Sequence, residues 1–259
     1  MRPILSSEEL LSTLKVHLQN KQPLSIIRYG DGEAITLNGF KDTESYKMVL
    51  KRQLGFCPTI EEAEEIRENL IDAYEHCDIL GLSLTDKAKG NEKDYWVRSR
   101  EILQENVSKD ILDKKDLVSI DCHSHFLDKG YYKDLMTNLK VVNYISCRNL
   151  DEEIKRAFNV KQVNSYIIAP EAKFTSGYNG TRHYPDQFVH IRKWMERAVP
   201  CEGNLCLVGA GFIGKIYNNW FRDLGGVSMD VGSVMDSWAG KATRGQGRGL
   251  NAIDDTYKL

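Results

Sequence analysis

The sequence predicts an α/β protein: a single Rossmann-like domain over residues 1–259, with a mostly parallel sheet and helices on both faces. Three observations predict it. Seven short apolar runs alternate with segments of helical period, the pattern of successive βα units. No internal repeat or low-complexity linker divides the chain. A length of 259 residues, 41% hydrophobic and 28% charged, suffices for a sizeable core.

The elements follow in order. "EELLSTLKVHL" sets Leu10, Leu14 and Leu18 on one helical face, and Ser6 with Glu9 forms a capping-box pattern before it. "LSIIRYG" is the first strand. A long helix begins near Thr59, with Glu62 three residues on and Ile60, Ala63, Ile66 and Leu70 along one side. "CDILGLSL" is a strand, "YWVRSREILQENV" a helix and "DLVSIDCHS" a strand. "LDKGYYKDLMTNL" is helical and "KVVNYIS" extended. "NLDEEIKRAF" is a helix capped by Asn149, followed by the strand "QVNSYIIAP". Residues 185–198 form a helix, "NLCLVG" a strand, "FIGKIYNNWFRDL" a helix and "GVSMDVG" the last strand. The longest stretch without regular pattern, "PEAKFTSGYNGTRHY" (170–184), has the length of a functional loop. Beyond Trp238 the chain is glycine-rich and basic, then acidic.

Composition removes several function classes. Net charge is −2 and the longest basic block is "DKKD", which argues against nucleic acid as a partner. No apolar run approaches the roughly 20 residues of a membrane span, and the N-terminus turns polar too early for a signal peptide. The expectation is a cytoplasmic protein, so "NGT" at 179–181 is not a glycosylation acceptor. Six scattered cysteines contain no Cys-x-x-Cys pair, and Cys77, Cys122, Cys147 and Cys206 sit in or beside apolar runs as small core residues.

Three stretches at predicted strand ends carry chemistry, because ligands of parallel α/β sheets gather beyond the carboxyl ends of the strands. In "RYGDGE", Asp31 and Glu33 flank a flexible glycine and can turn toward one point, as ligands of a hard divalent cation would; a solvated turn is the alternative. In "GAGFIG", Gly209, Gly211 and Gly214 fit G-x-G-x-x-G, and Asp230 ends the next strand 21 positions after Gly209. That is the dinucleotide fingerprint, yet only one strand follows it, so phosphate binding is better supported than NAD binding; close helix–strand packing is the structural alternative. In "DCHSHF", His123 and His125 alternate and along a strand would point the same way, as a polar pocket wall or strand-end cap rather than a ligand pair. Lys241 and Arg244 are candidates for phosphate or sugar oxygens. Trp238 is a candidate interface residue or sugar platform.

"SIIRYGDGE" resembles the N-terminal signature of the GT-D-fold glycosyltransferases, a bacterial group first catalogued as a domain of unknown function. "GAGFIGKIYNNWFRDLGGVSMDVGSVMDSW" resembles their C-terminal stretch. The resemblance implies a metal-dependent glycosyltransferase of GT-D-like fold that moves a sugar from a nucleotide-sugar donor, commonly a UDP-sugar. The acceptor would be a glycan or glycoprotein of bacterial surface-glycan biosynthesis. It implies that Asp31 and Glu33 engage Mn²⁺ or Mg²⁺, and that Arg28, Gly30, Gly209 and Gly211 belong to the donor site. N–H groups at Gly211 and Phe212 would help neutralise the diphosphate, Asp230 closes the same site, and Asp236 or His125 would deprotonate the acceptor hydroxyl. The chain departs from the family in "DVGSVMDSWAGK", which lacks a histidine after the glycine, and in residues 170–184, which marks a divergent branch. Two other functions compete: an NAD-dependent oxidoreductase using "GAGFIG", and a non-catalytic nucleotide-sugar-binding module. An oligomer is compatible with all three.

Overall fold

Alternating βα units fold here into one sheet. The computed structural model describes residues 3–39, 43–83, 91–171, 180–241, 243 and 255–259. It opens with β1 (Ile4–Leu5), α1 (Ser7–Asn20) and β2 (Leu24–Arg28). Next come α2 (Asp31–Asn38), α3 (Thr43–Leu54), α4 (Ile60–His76) and β3 (Ile79–Leu82). The middle holds α5 (Asn91–Asn106), α6 (Lys109–Leu112), β4 (Asp116–Ser119), α7 (Cys122–Asp128), α8 (Tyr131–Met136) and β5 (Val141–Ser146). Then follow α9 (Asp151–Phe158), β6 (Gln162–Ile167), a π-helical turn (His183–Gln187), α10 (Phe188–Ala198) and β7 (Leu205–Gly209). The described chain ends its regular structure with α11 (Gly214–Asp223), β8 (Val227–Asp230) and α12 (Val234–Trp238).

The strand order is β1-β4-β3-β2-β8-β7-β5-β6, and every pairing among the described strands is parallel. Strands covered on both faces read as apolar runs rather than alternations. In β2, Leu24 and Ile26 pack on one helical layer and Ile27 on the other. One layer holds α1, α7, α8, α9 and α12, with Leu10, Leu14, Phe126 and Trp238 buried. The other holds α2, α3, α4, α5, α10 and α11, with Leu50, Ile66, Leu70, Tyr217 and Phe221 buried.

The capping boxes expected before α1 and α4 form. Ser6 Oγ accepts from Glu9 N–H and Glu9 Oε2 from Ser6 N–H; Thr59 and Glu62 repeat this before α4. Before α9 the N-cap is Leu150 rather than the expected Asn149, which lies one residue further out and accepts at Oδ1 from the Asp151 N–H. All six cysteines are free, and Cys77, Cys122 and Cys206 are buried. No helix of the described residues is long and apolar enough to cross a membrane.

Several expectations need correction. The sheet has eight described strands rather than seven: β1 is two residues long, too short for a periodic signal, and adds beside β4. "GDGE" is no open turn; Asp31 begins α2, where two acids suit the positive helix end. Helix α3 follows, over a stretch the periodicity leaves unassigned. His123 and His125 lie on α7, not on a strand, because β4 ends at Ser119. Residues two apart on a helix point roughly 200° apart, so the histidines diverge. Trp238 is buried between Tyr132 and Phe158 and presents no platform. The predicted helix 185–198 starts as the π-helical turn at His183. Residues 172–179, most of the expected functional loop, and Arg244 lie outside the described residues.

Candidate active site

The two central strands decide where the site lies. β2 and β8 are neighbours, with Ile26 opposite Met229. The chain leaves β2 into α2 on one layer and leaves β8 into α12 on the other. This divergence opens a crevice at the carboxyl ends, the usual ligand position of a doubly wound sheet. A cavity of about 830 Å³ lies there, lined by Arg28, Gly30, Asp31, Glu33, Gly209, Gly211, Phe212, Asp230 and Asp236 among others. Most of the residues expected from sequence therefore meet at one place.

Its floor is a cluster of buried charges. Arg28 Nε and Nη2 donate to the two oxygens of Asp230 at 3.1 and 3.2 Å, a bidentate pair. Lys215 Nζ, at the head of α11, lies 2.6 Å from Asp230 Oδ2 and 3.0 Å from Glu33 Oε1. Two cations and two carboxylates balance, which is what allows them to be buried. Burial by itself raises a carboxyl pKa, but Arg28 and then Lys215 hold Asp230 well below the usual range. Burial likewise opposes the Lys215 ammonium, and Asp230 and Glu33 hold it above its ordinary value.

Arg28 also anchors the β4 end of the cavity. Its Nη1 donates to the Ile120 carbonyl at 3.2 Å and to His123 Nδ1 at 2.9 Å. Arginine only donates, so the His123 nitrogen facing it accepts. Burial, then Arg28, push this imidazole down to about 3, so it stays neutral. Gly232, at φ +53°, is required here: a Cβ would stand 2.4 Å from Arg28 Nη2.

The glycine-rich turn after β7 is shaped by two contacts. Gly211 has φ +61°, and a Cβ there would meet Gln53 Oε1 at 2.7 Å. The same Gln53 oxygen accepts from the Phe212 N–H at 3.2 Å. A ligand oxygen at that N–H must displace it. Gly214 packs α11 on the strand: a Cβ would lie 3.0 Å from Val208 Cγ1.

The acidic pair of "RYGDGE" divides. Asp31 is exposed and lines the cavity; its Oδ1 takes the Gly32 N–H. Glu33 is turned inward, with Oε1 on Lys215 and Oε2 accepting from Gly30 N–H at 3.2 Å. Asp31 fits a divalent cation that shares oxygens with a bound phosphate. Glu33 does not fit in this arrangement. Among the described residues no three His, Cys, Asp or Glu side chains form a metal-holding group.

The two candidate bases also divide. Asp236 lines the cavity, held by Arg148 Nε at 2.7 Å and Thr243 Oγ1 at 2.7 Å. His125 is exposed, lies outside the lining and faces Ser7 Oγ at 3.5 Å. Lys241 is exposed and also outside the lining. Lys215, Gln53 and Arg148 were missed from sequence. Only Lys215 left a local sign, directly after the third glycine of "GAGFIG".

An all-parallel doubly wound sheet with a charged crevice at its central switch point defines a class, the Rossmann-like α/β proteins. Within that class, residues 5–238 match the family model of the GT-D fold-like domain, and the chain belongs to that family. Solved structures share the fold. A protein described as a new glycosyltransferase (DUF1792) from Streptococcus sanguinis aligns with TM-score 0.57 at 13% identity, over 92% of this chain and 83% of that one. A structure described as showing that the domain of unknown function 1792 has a distinct glycosyltransferase fold aligns with TM-score 0.55 at 15% identity, over 90% and 79%. A selenomethionine-substituted structure of the same domain gives 0.56 at 15% identity, over 90% and 79%. At such identities the likeness is one of fold. Comparison with curated proteins finds no match.

Proposed function

We propose that this protein is a glycosyltransferase that takes a sugar from a nucleotide-sugar donor, with UDP-sugars first among them. The acceptor would be a glycan or glycoprotein in surface-glycan assembly. The observation that carries the reading is the switch-point cavity of about 830 Å³, on which both glycine-rich turns converge, in a chain of GT-D fold.

The electrostatics support a donor that arrives with a cation. Among the described lining residues, six carboxylates (Asp31, Glu33, Asp121, Glu171, Asp230, Asp236) outnumber two cations, Arg28 and Lys215, which are themselves paired, as Asp236 is with Arg148. A bare diphosphate is repelled by such a surface. Mn²⁺ or Mg²⁺ held by Asp31 and diphosphate oxygens would neutralise the leaving group when bound. The turns at Gly30 and Gly211 leave room for backbone to approach the diphosphate. Asp236, oriented by Arg148, would take the proton of the acceptor hydroxyl.

The oxidoreductase reading fits less well. The acid that should take the ribose hydroxyls, Asp230, is already spent on Arg28, Lys215 and the Gly232 N–H. The test is calorimetric titration with UDP, with and without Mn²⁺ and with NAD as control, followed by UDP release from a panel of UDP-sugars. Metal-dependent UDP binding with turnover is expected. NAD binding with no response to UDP would overturn the reading, and UDP binding with no turnover of any donor would leave a binding module.

A further inference from the structure

The contact between Glu33 and Lys215 changes what the acidic motif does. An ammonium has three N–H donors and no acceptor. On Lys215 all three have partners: Asp230 Oδ2 at 2.6 Å, Glu33 Oε1 at 3.0 Å and the Gly211 carbonyl at 3.3 Å. The side chain is 4% exposed and that of Glu33 9%. Glu33 Oε2 is occupied by the Gly30 N–H. Asp31, two residues away, is exposed in the cavity.

We propose that Lys215 supplies, as a fixed ammonium, the positive charge on Glu33 that the family resemblance assigns to a divalent cation. The protein ligand of the cation is then Asp31, and Glu33 is a positioning residue. The cation half of this inference rests on the glycosyltransferase reading above. A cation placed on Glu33 would have to displace an ammonium that also holds Asp230 and the turn carbonyl of Gly211. With Lys215 in place, two glycine-rich segments far apart in sequence are tied together whether or not a cation is bound. The diphosphate cradle is built in advance, which lowers the ordering cost of binding.

Two measurements on the full chain test this. The first is thermal unfolding without ligand for Glu33→Gln, Lys215→Met and the double variant. A double variant less destabilised than the sum of the two singles is expected, with most of the coupling restored in Lys215→Arg; strict additivity overturns the pairing. The second is UDP titration with and without Mn²⁺. Asp31→Asn is expected to lose the Mn²⁺-dependent gain in UDP affinity and Glu33→Gln to keep it. Loss of the gain in Glu33→Gln to the same extent as in Asp31→Asn would make Glu33 a ligand and overturn the proposal. If the wild type binds no UDP, the functional reading falls and the cation assignment with it, while the unfolding cycle still decides the pair.

Discussion

Arg28 shows how single residues set this site. Its guanidinium joins three strand ends, reaching Asp230 at the end of β8 and Ile120 and His123 after β4 from its own place in β2. Gly232 makes room for it. Gly232→Ala forces a Cβ into the left-handed region and against Nη2, which should cost about 1–3 kcal/mol from the backbone alone. Urea unfolding should show that loss, and weaker UDP binding should accompany it. Asp236→Asn addresses the base. It should lower kcat by about 10²–10⁴-fold with UDP affinity retained, because Asp236 bonds to Arg148 and Thr243 rather than to Arg28 or Lys215. Unchanged kcat would remove Asp236 from that role. His183 is buried, bonded through Nε2 to Tyr217 at 2.9 Å, and burial lowers it from 6.5 to about 4. A depressed histidine contributes stability that is whole above 6.5 and is lost as the pH falls toward 4. Stability measured across that window should decline, and less steeply in His183→Gln.

At the scale of elements, local sequence and tertiary packing contribute separately. The capping box of α4 is local: Thr59 and Glu62 satisfy each other's N–H groups without help from the rest of the fold. Thr59→Ala should cost about 1 kcal/mol and leave UDP binding intact, since α4 begins away from the cavity lining. Helix α12 is the opposite case. Its five residues are held by Trp238, 2% exposed, with ring centroids 5.2 Å from Tyr132 and 5.5 Å from Phe158. Trp238→Ala should cost about 3–5 kcal/mol, read by chemical denaturation. It should also disturb Asp236, which the same short helix carries. The periodic pattern revealed α1, α4 and α9 because each has an apolar face, reinforced in α1 and α4 by a capping box. It missed α2, whose eight residues bury Gly32, Glu33, Ala34, Thr36 and Leu37 with little alternation, and β1, which exists only as a partner for β4.

Across the whole molecule, the parallel sheet and the position of the cavity were legible from seven apolar runs and two glycine-rich turns. The reason is physical: βα units must repeat, strands buried on both faces must be apolar, and ligands meet such sheets at the strand ends. The sequence by itself therefore determined the fold class and the strand ends at which candidate residues stand, and it offered Arg28, Asp31, Asp230 and Asp236, which line one cavity. The tertiary structure decided which of the candidates face each other. It sent His125 toward α1, buried Trp238, placed Gln53 on the Phe212 N–H 159 residues away, and set Arg148 on Asp236 across 88 residues. Above all it turned Glu33 inward onto Lys215 while leaving Asp31 in the cavity. Partners so distant in the chain leave no periodic trace in it, because their contact is created by the strand order, which brings β2 beside β8 and α11 over both.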